Sequence, residues 1–189
     1  MVGVILFRAQ PFHRGHLKMV QKAYKDCAEN KHDLYIFVGS ANASGTKRNP
    51  LPFGVRMDLI EGSLKEVFQK QELEHIHIFP LADLTNETDN SYDWGRYLFV
   101  KMLSKTHDVD MTIYYSDNPQ IMLSWFDKDE RWCLRFKFLD RYENISATQV
   151  RLAFSDFEHN QEILYNLLPN YVFQNRELIY HYLQDVKGD

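Results

Sequence analysis

Short apolar runs alternate along the chain with longer stretches in which apolar residues recur at helical spacing. VGVILF (residues 2–7), DLYIFVG (33–39), HIHIF (75–79) and MTIYY (111–115) are strand-length runs, and WCLRFKF (132–138) alternates enough to be a fifth. Runs with little polar interruption suit strands covered on both faces. Helices are expected over about 15–30, 53–70 and 93–105, the second from Val55, Leu59, Leu64, Val67 and Phe68. From Ala147 onward the pattern is helical, interrupted near 155–160 and at Pro169. Strands alternating with helices predict an α/β fold: a Rossmann-like, doubly wound parallel sheet of five strands, helices on both faces and a C-terminal helical tail. No repeat, low-complexity tract or linker divides residues 1–189, so they read as one domain, an α/β core to about 145 and a tail from about 146. Ligands of such sheets bind beyond the C-terminal strand ends. The polar segments 8–16, 40–52, 81–94, 116–119 and 145–151 all follow strands and gather on that edge.

Composition narrows the partners. The chain has 189 residues, 44% hydrophobic and 14% aromatic, enough for a sizeable core. A net charge of -4 lacks the basic stripe of a nucleic-acid binder but leaves room for a nucleotide-sized anion held by local cations. Cys27 and Cys133 form neither a disulfide framework nor zinc-ligand spacing, which points to a reducing compartment. The first apolar run ends at Arg8, too short for a signal-peptide core or a membrane span. A cytoplasmic protein with no nucleic-acid or membrane partner is expected.

Two motifs carry chemistry. In PFHRGH, His13 and His16 share a face at a helix start, where free backbone N–H groups and the helix dipole favour an anion. Gly15 leaves room for close approach and Pro11 stiffens the turn. A metal pair or a solvated turn is the plainer reading, although zinc would want a third ligand or H-E-x-x-H. In ENISATQVR, Ser146 and Gln149 have the spacing of a capping box, an ordinary helix start, while Thr148 and Arg151 present a hydroxyl and a guanidinium on one face.

Taken together, HRGH after the first strand and ISATQVR near the end resemble the nucleotidylyltransferase superfamily. Within it the chain resembles nicotinamide-mononucleotide adenylyltransferases of the archaeal and bifunctional type. FRAQPFHRGH, GSANASGTKRNPLPFGVR, PLADLTNETDNSYDW, YYSDNP and the closing LLPNYVFQNRELI follow that family's motifs in order, over nearly the whole chain. The chain departs from the pattern at Phe7 and Ala147, where the family has glycine, and at Val55, where it has glutamate. Side chains at the first two positions are expected to narrow the nucleotide pocket.

The resemblance implies adenylyl transfer: the phosphate of nicotinamide mononucleotide attacks the α-phosphorus of ATP in line and expels pyrophosphate, by positioning and electrostatic stabilisation. It casts His13, His16 and Arg48 as catalytic, with His16 held protonated beside the α-phosphate. Arg8, Gln10, Phe12, Asn118, Ser146, Thr148 and Arg151 are expected to bind ATP and its phosphates. Gly39, Ser40, Asp83, Asn90 and Trp94 are expected to bind the mononucleotide, Trp94 stacking on nicotinamide from an exposed loop, with Ser91 an alternative to Asn90. Mg²⁺ is expected mainly through the ATP phosphates, with no metal ligands in the protein, and relatives suggest a homo-oligomer. Arg56 reads either as a site residue or as a salt-bridge partner, Trp125 and Trp132 as core, and His75 and His77 as exposed or satisfied. Another phosphorylated acceptor such as nicotinate mononucleotide, and a non-catalytic nucleotide-binding regulator, are the competing functions. A class I tRNA-synthetase core is disfavoured by the chain's length.

Overall fold

The computed structural model describes residues 1–84, 92–116 and 119–186. Five strands, β1 (Val2–Phe7), β2 (Leu34–Val38), β3 (Ile76–Pro80), β4 (Met111–Tyr115) and β5 (Leu134–Phe138), form one sheet in the order β3-β2-β1-β4-β5. All four pairings are parallel. Parallel neighbours need crossovers, and helices supply them: α1 (Arg14–Glu29), α2 (Phe53–Lys65), α3 (Lys70–Leu73), α4 (Tyr92–Thr106), α5 (Pro119–Ser124) and α6 (Lys128–Cys133). The tail adds α7 (Ala147–Ala153), a 3₁₀ turn (Phe154–Asp156), α8 (Gln161–Leu167), α9 (Asn170–Gln174) and α10 (Arg176–Gln184). Chain order reverses between β1 and β4, which places a ligand crevice beyond their C-terminal ends.

Successive side chains of a strand point to opposite faces, and the core divides accordingly. Ile5 and Phe7 of β1 join Leu34, Ile36 and Val38 of β2 in the larger cluster, under α1, α2 and the tail. Val2 and Val4 face the other way, with Phe37, Trp94, Leu98, Met102 and Phe126. Leu17, Val20, Ala23, Tyr24 and Cys27 are the buried stripe of α1, recurring at the helical period. Burying an aliphatic side chain of that stripe contributes roughly 1.5–3 kcal/mol. A polar tie reinforces it: Lys137 of β5 pairs with Asp26 of α1 at 2.6 Å, and the Tyr114 hydroxyl of β4 donates to the same carboxylate.

The fifth strand begins later than its sequence suggests. Asp127 caps a helical turn over Lys128–Cys133, so Trp132 lies on α6 and is 88% exposed rather than in the core. The second helix also stops early, at Lys65. His75 and His77 are satisfied, both by Asp33, at 2.8 and 2.9 Å. No helix among the described residues is long and apolar enough to cross a membrane.

Candidate active site

β1 and its neighbour β2 both leave the sheet through a left-handed residue. Ala9 (φ 56°) follows β1 and Ser40 (φ 51°) follows β2, and neither is a glycine. Arg56 accounts for how these turns are held. It is wholly buried on the stripe of α2 that also carries Leu59, Ile60, Ser63 and Leu64. One terminal nitrogen donates to the carbonyls of Arg8 (2.8 Å) and Gly39 (2.7 Å), and the other to that of Ser40 (2.8 Å). Burial lowers its pKa to about 10, with Asp83 opposing and Arg8 adding to the effect. The salt-bridge alternative for Arg56 is replaced by a backbone tie. Its position on an apolar helical stripe was the available sequence signal.

Gln10 fastens the first loop to the second. Its side-chain amide donates to the Leu51 carbonyl (3.1 Å) and its carbonyl accepts the Leu51 N–H (2.8 Å). The side chain expected on ATP is therefore occupied by the scaffold, while the Gln10 carbonyl accepts from Arg151 (2.8 Å). That bond ties α7 to the loop between β1 and α1. The N-terminus of α7 is closed by the expected capping box between Ser146 and Gln149, at 3.2 and 2.8 Å.

α1 opens with a capping box of an unusual kind. The Nδ1 of His13 accepts the His16 N–H (3.4 Å), and the Nδ1 of His16 accepts the His13 N–H (3.3 Å). The rings stack with centroids 3.7 Å apart. Gly15 fits closely here: a Cβ would come 3.0 Å from the His13 ring and 3.3 Å from the Ile145 carbonyl, so its neighbours would have to shift. The room expected for a ligand is thus taken by the protein. His13 is 5% exposed, and burial first, then Arg141, pushes its pKa down to about 3. Burial and then His13 hold His16 well below its ordinary value. Both shifts favour the neutral imidazole in the unliganded site, and each Nδ1 is already an acceptor in the cap.

These elements enclose an open cavity of about 230 Å³ lined by Arg8, Ala9, Gln10, His16, Arg48, Ala147, Thr148 and Arg151. It joins residues from three separate segments, and its charge is positive. Burial, and after it the Arg48 guanidinium, lower the Arg8 pKa, with Asp83 opposing them. Arg151 is lowered by burial and also donates to the Thr148 hydroxyl at 3.4 Å. α1 carries no acidic residue in its first turn, so the positive end of its dipole stays available to an anion. Three guanidiniums without a carboxylate in the lining fit phosphate oxygens, which such side chains bind in charge-assisted pairs. Among the described residues no group of three or more His, Cys, Asp or Glu could hold a metal ion. The donor set does not suit a resident cation.

The other expected residues lie elsewhere. Phe12 is fully buried behind His16, and Ser146 is committed to its cap. Gly39 and Ser40 lie over Arg56. Asp83 is held by its backbone, its N–H donating to the Asn42 side chain (2.8 Å), which donates back to the Asp83 carbonyl (3.3 Å). Trp94 is in the first turn of α4 and 8% exposed, packed against Tyr97 and edge-on to Trp125, on the opposite face of the sheet from α1. Its polar sequence neighbours suggested an exposed ring; helix formation turns it inward. Asn90, Ser91 and Asn118 lie outside the described residues. Phe7 does not narrow the pocket, because its ring turns into the core, whereas Ala147 does line it.

A parallel sheet with a cationic crevice at its switch point defines a nucleotide-handling α/β protein of the Rossmann-like class. Comparison with known proteins agrees. The cytidylyltransferase-like family profile matches residues 8–153, from the first cavity arginine to the end of α7. Nicotinamide-nucleotide adenylyltransferase 1 of Sulfolobus acidocaldarius is 34% identical over 182 residues, 96% of this chain and 88% of that protein. The Pyrococcus abyssi nicotinamide-nucleotide adenylyltransferase is 32% identical over 186 residues, 98% of this chain and 84% of that protein. Among solved structures, a bifunctional NMN adenylyltransferase/ADP ribose pyrophosphatase from Francisella tularensis, complexed with AMP and a manganese ion, shares the fold with a TM-score of 0.69 at 19% identity. That match covers 98% of this chain and 51% of the other, so the chain spans about half the bifunctional protein. The chain belongs to the cytidylyltransferase-like family, in its nicotinamide-nucleotide adenylyltransferase branch.

Proposed function

We propose that the chain joins ATP and nicotinamide mononucleotide into NAD with release of pyrophosphate. The observation that carries this reading is the cavity in which Arg8, Arg48 and Arg151 converge with His16 and Thr148 at the switch point of the sheet. An in-line displacement at the α-phosphorus moves negative charge onto phosphate oxygens and needs no covalent intermediate. Fixed donors placed where that charge develops supply the rate. Arg8, Arg48 and His16 act on the reacting phosphate, and Thr148 and Arg151 hold the outgoing pyrophosphate from the α7 side. Mg²⁺ arrives as the MgATP substrate, in keeping with a cavity lined by cations and neutral donors. The acceptor side comprises the Gly39–Ser40 turn, Asp83 and Trp94. Stacking of Trp94 on nicotinamide would require its ring to leave Tyr97 and Trp125.

A panel of phosphorylated acceptors with MgATP or MgCTP tests the reading. Pyrophosphate release is expected with nicotinamide mononucleotide and MgATP above every other pair, nicotinate mononucleotide included. No release with that pair refutes it.

A further inference from the structure

Four rings meet at the start of α1. The Phe7 centroid lies 4.8 Å from that of His16 and 5.7 Å from that of Phe12; Phe12 stacks on His16 at 5.5 Å, and His13 does so at 3.7 Å. Phe7, Phe12 and His13 are buried, while His16 reaches the cavity. Phe7 is also the last residue of β1: it pairs with Val38, and its carbonyl accepts the Gly39 N–H at 2.9 Å. Its ring therefore projects from a fixed strand end rather than from a loop, a placement that holds a neighbouring group accurately.

The second relevant bond is the one between the His16 Nδ1 and the His13 N–H. A neutral imidazole that accepts at Nδ1 carries its proton on Nε2. A further proton on Nδ1 would set two donors against each other and open the cap. We propose that Phe7 is a positioning residue: with Phe12 and His13 its ring confines His16 to one orientation and one tautomer, so that His16 meets the phosphate as a neutral Nε2–H donor.

The surroundings oppose an imidazolium at this position. Among the described residues, the titratable and charged groups that stack on His16 or line the cavity with it are His13 at the helix cap, Arg8 beyond β1, Arg48 from the β2–α2 loop and Arg151 from α7. None of them is an anion. Burial adds to the same effect. A neutral donor of fixed tautomer needs no proton transfer and no reorientation as charge develops, which is the condition for electrostatic preorganisation. The inference rests on the phosphate reading of the cavity.

Imidazole ¹⁵N spectra of the full chain, free and with MgATP alone, combined with steady-state kinetics, test it. The wild type should show His16 neutral with its proton on Nε2 from about pH 8 to about pH 5.5. Phe7→Leu keeps an apolar side chain of similar bulk and avoids the folding risk of Phe7→Ala. It should mix the two tautomers of His16, let the ring titrate nearer its ordinary value, and lower kcat about tenfold with the KM for MgATP within about twofold. Wild-type tautomer and kcat in Phe7→Leu would overturn the proposal. So would a lower kcat accompanied by a lower Tm with the ¹⁵N signature unchanged, since that is a purely structural effect. If the wild type makes no dinucleotide, the functional reading fails, and the spectra with MgATP still decide what Phe7 does to His16.

Discussion

Two helices bring their first turns to the cavity, and their capping boxes are built differently. At α7 the box is Ser146 and Gln149, while the residues that face the cavity are Thr148 and Arg151. Cap and candidate chemistry sit on different side chains. At α1 the box is His13 and His16, and His16 is itself in the cavity lining. Its bonds, at 3.3 and 3.4 Å, exceed the usual N–H donor range, whereas those at α7 are 2.8 and 3.2 Å. Imidazoles are also poor substitutes for the Ser, Thr, Asp and Asn that favour this position. α1 thus has the weaker cap, and one of its capping groups is the imidazole that lines the cavity. Its 16-residue length and buried stripe provide the stability that the cap does not.

The largest expected effect comes from removing what both strand ends rest on. Arg56→Met leaves three carbonyls, of Arg8, Gly39 and Ser40, without their donor. Each lost partner costs about 1–3 kcal/mol, so urea unfolding should show a loss of at least about 3 kcal/mol. A loss under about 1 kcal/mol would mean that the tie is dispensable. Acid should separate the two boxes next. His13 and His16 both have pKa values below the ordinary 6.5, so the unfolded chain takes up protons that the folded chain refuses. Stability is therefore retained above pH 6.5 and lost as pH falls below it, by about 1.4 kcal/mol per imidazole at about pH 5.5. Denaturant midpoints across pH should show this slope in the wild type and lose most of it in His13→Ser/His16→Gln. Arg151→Ala removes a cavity cation and the bond to Gln10, and should lower kcat/KM for MgATP by about 10- to 100-fold, or about 1.5–3 kcal/mol. The smallest effect belongs to Ser146→Ala: about 1 kcal/mol of stability, read as a shift in Tm, with kcat within about twofold. A larger loss of kcat there would show that α7 also merges cap and chemistry.

The succession of parallel strands and helices was legible because four of the strands are apolar runs and the connections are helical, whereas the order of the strands in the sheet was not. The cavity lining was legible where a charged or hydroxyl group stands in a strand-end loop or a helix start, as at Arg8, Arg48, Thr148 and Arg151. Trp132 and Trp94 were read in reverse. Asp127 caps a turn that sequence alternation disguised as the beginning of β5, and the first turn of α4 carries Trp94 inward despite its polar neighbours. Arg56 and Gln10 were hard to place because their partners are backbone groups more than fifteen residues away, which no side-chain pattern records. The protonation of His16 in the unliganded site was hard to read for a related reason. A phosphate neighbour favours imidazolium, but burial and the reciprocal cap, both products of folding, favour the neutral ring.

The most direct measurement replaces the box of α1 with that of α7. His13→Ser/His16→Gln keeps the reciprocal cap while removing both imidazoles, and NAD and pyrophosphate formed from MgATP and nicotinamide mononucleotide are measured in wild type and variant. The wild type should form the two products in equal amounts. The variant should remain folded near neutral pH, with stability within about 1 kcal/mol, and fall by about 10²–10³ in kcat. A folded variant with the wild-type rate, or a wild type that releases no pyrophosphate, would contradict the account.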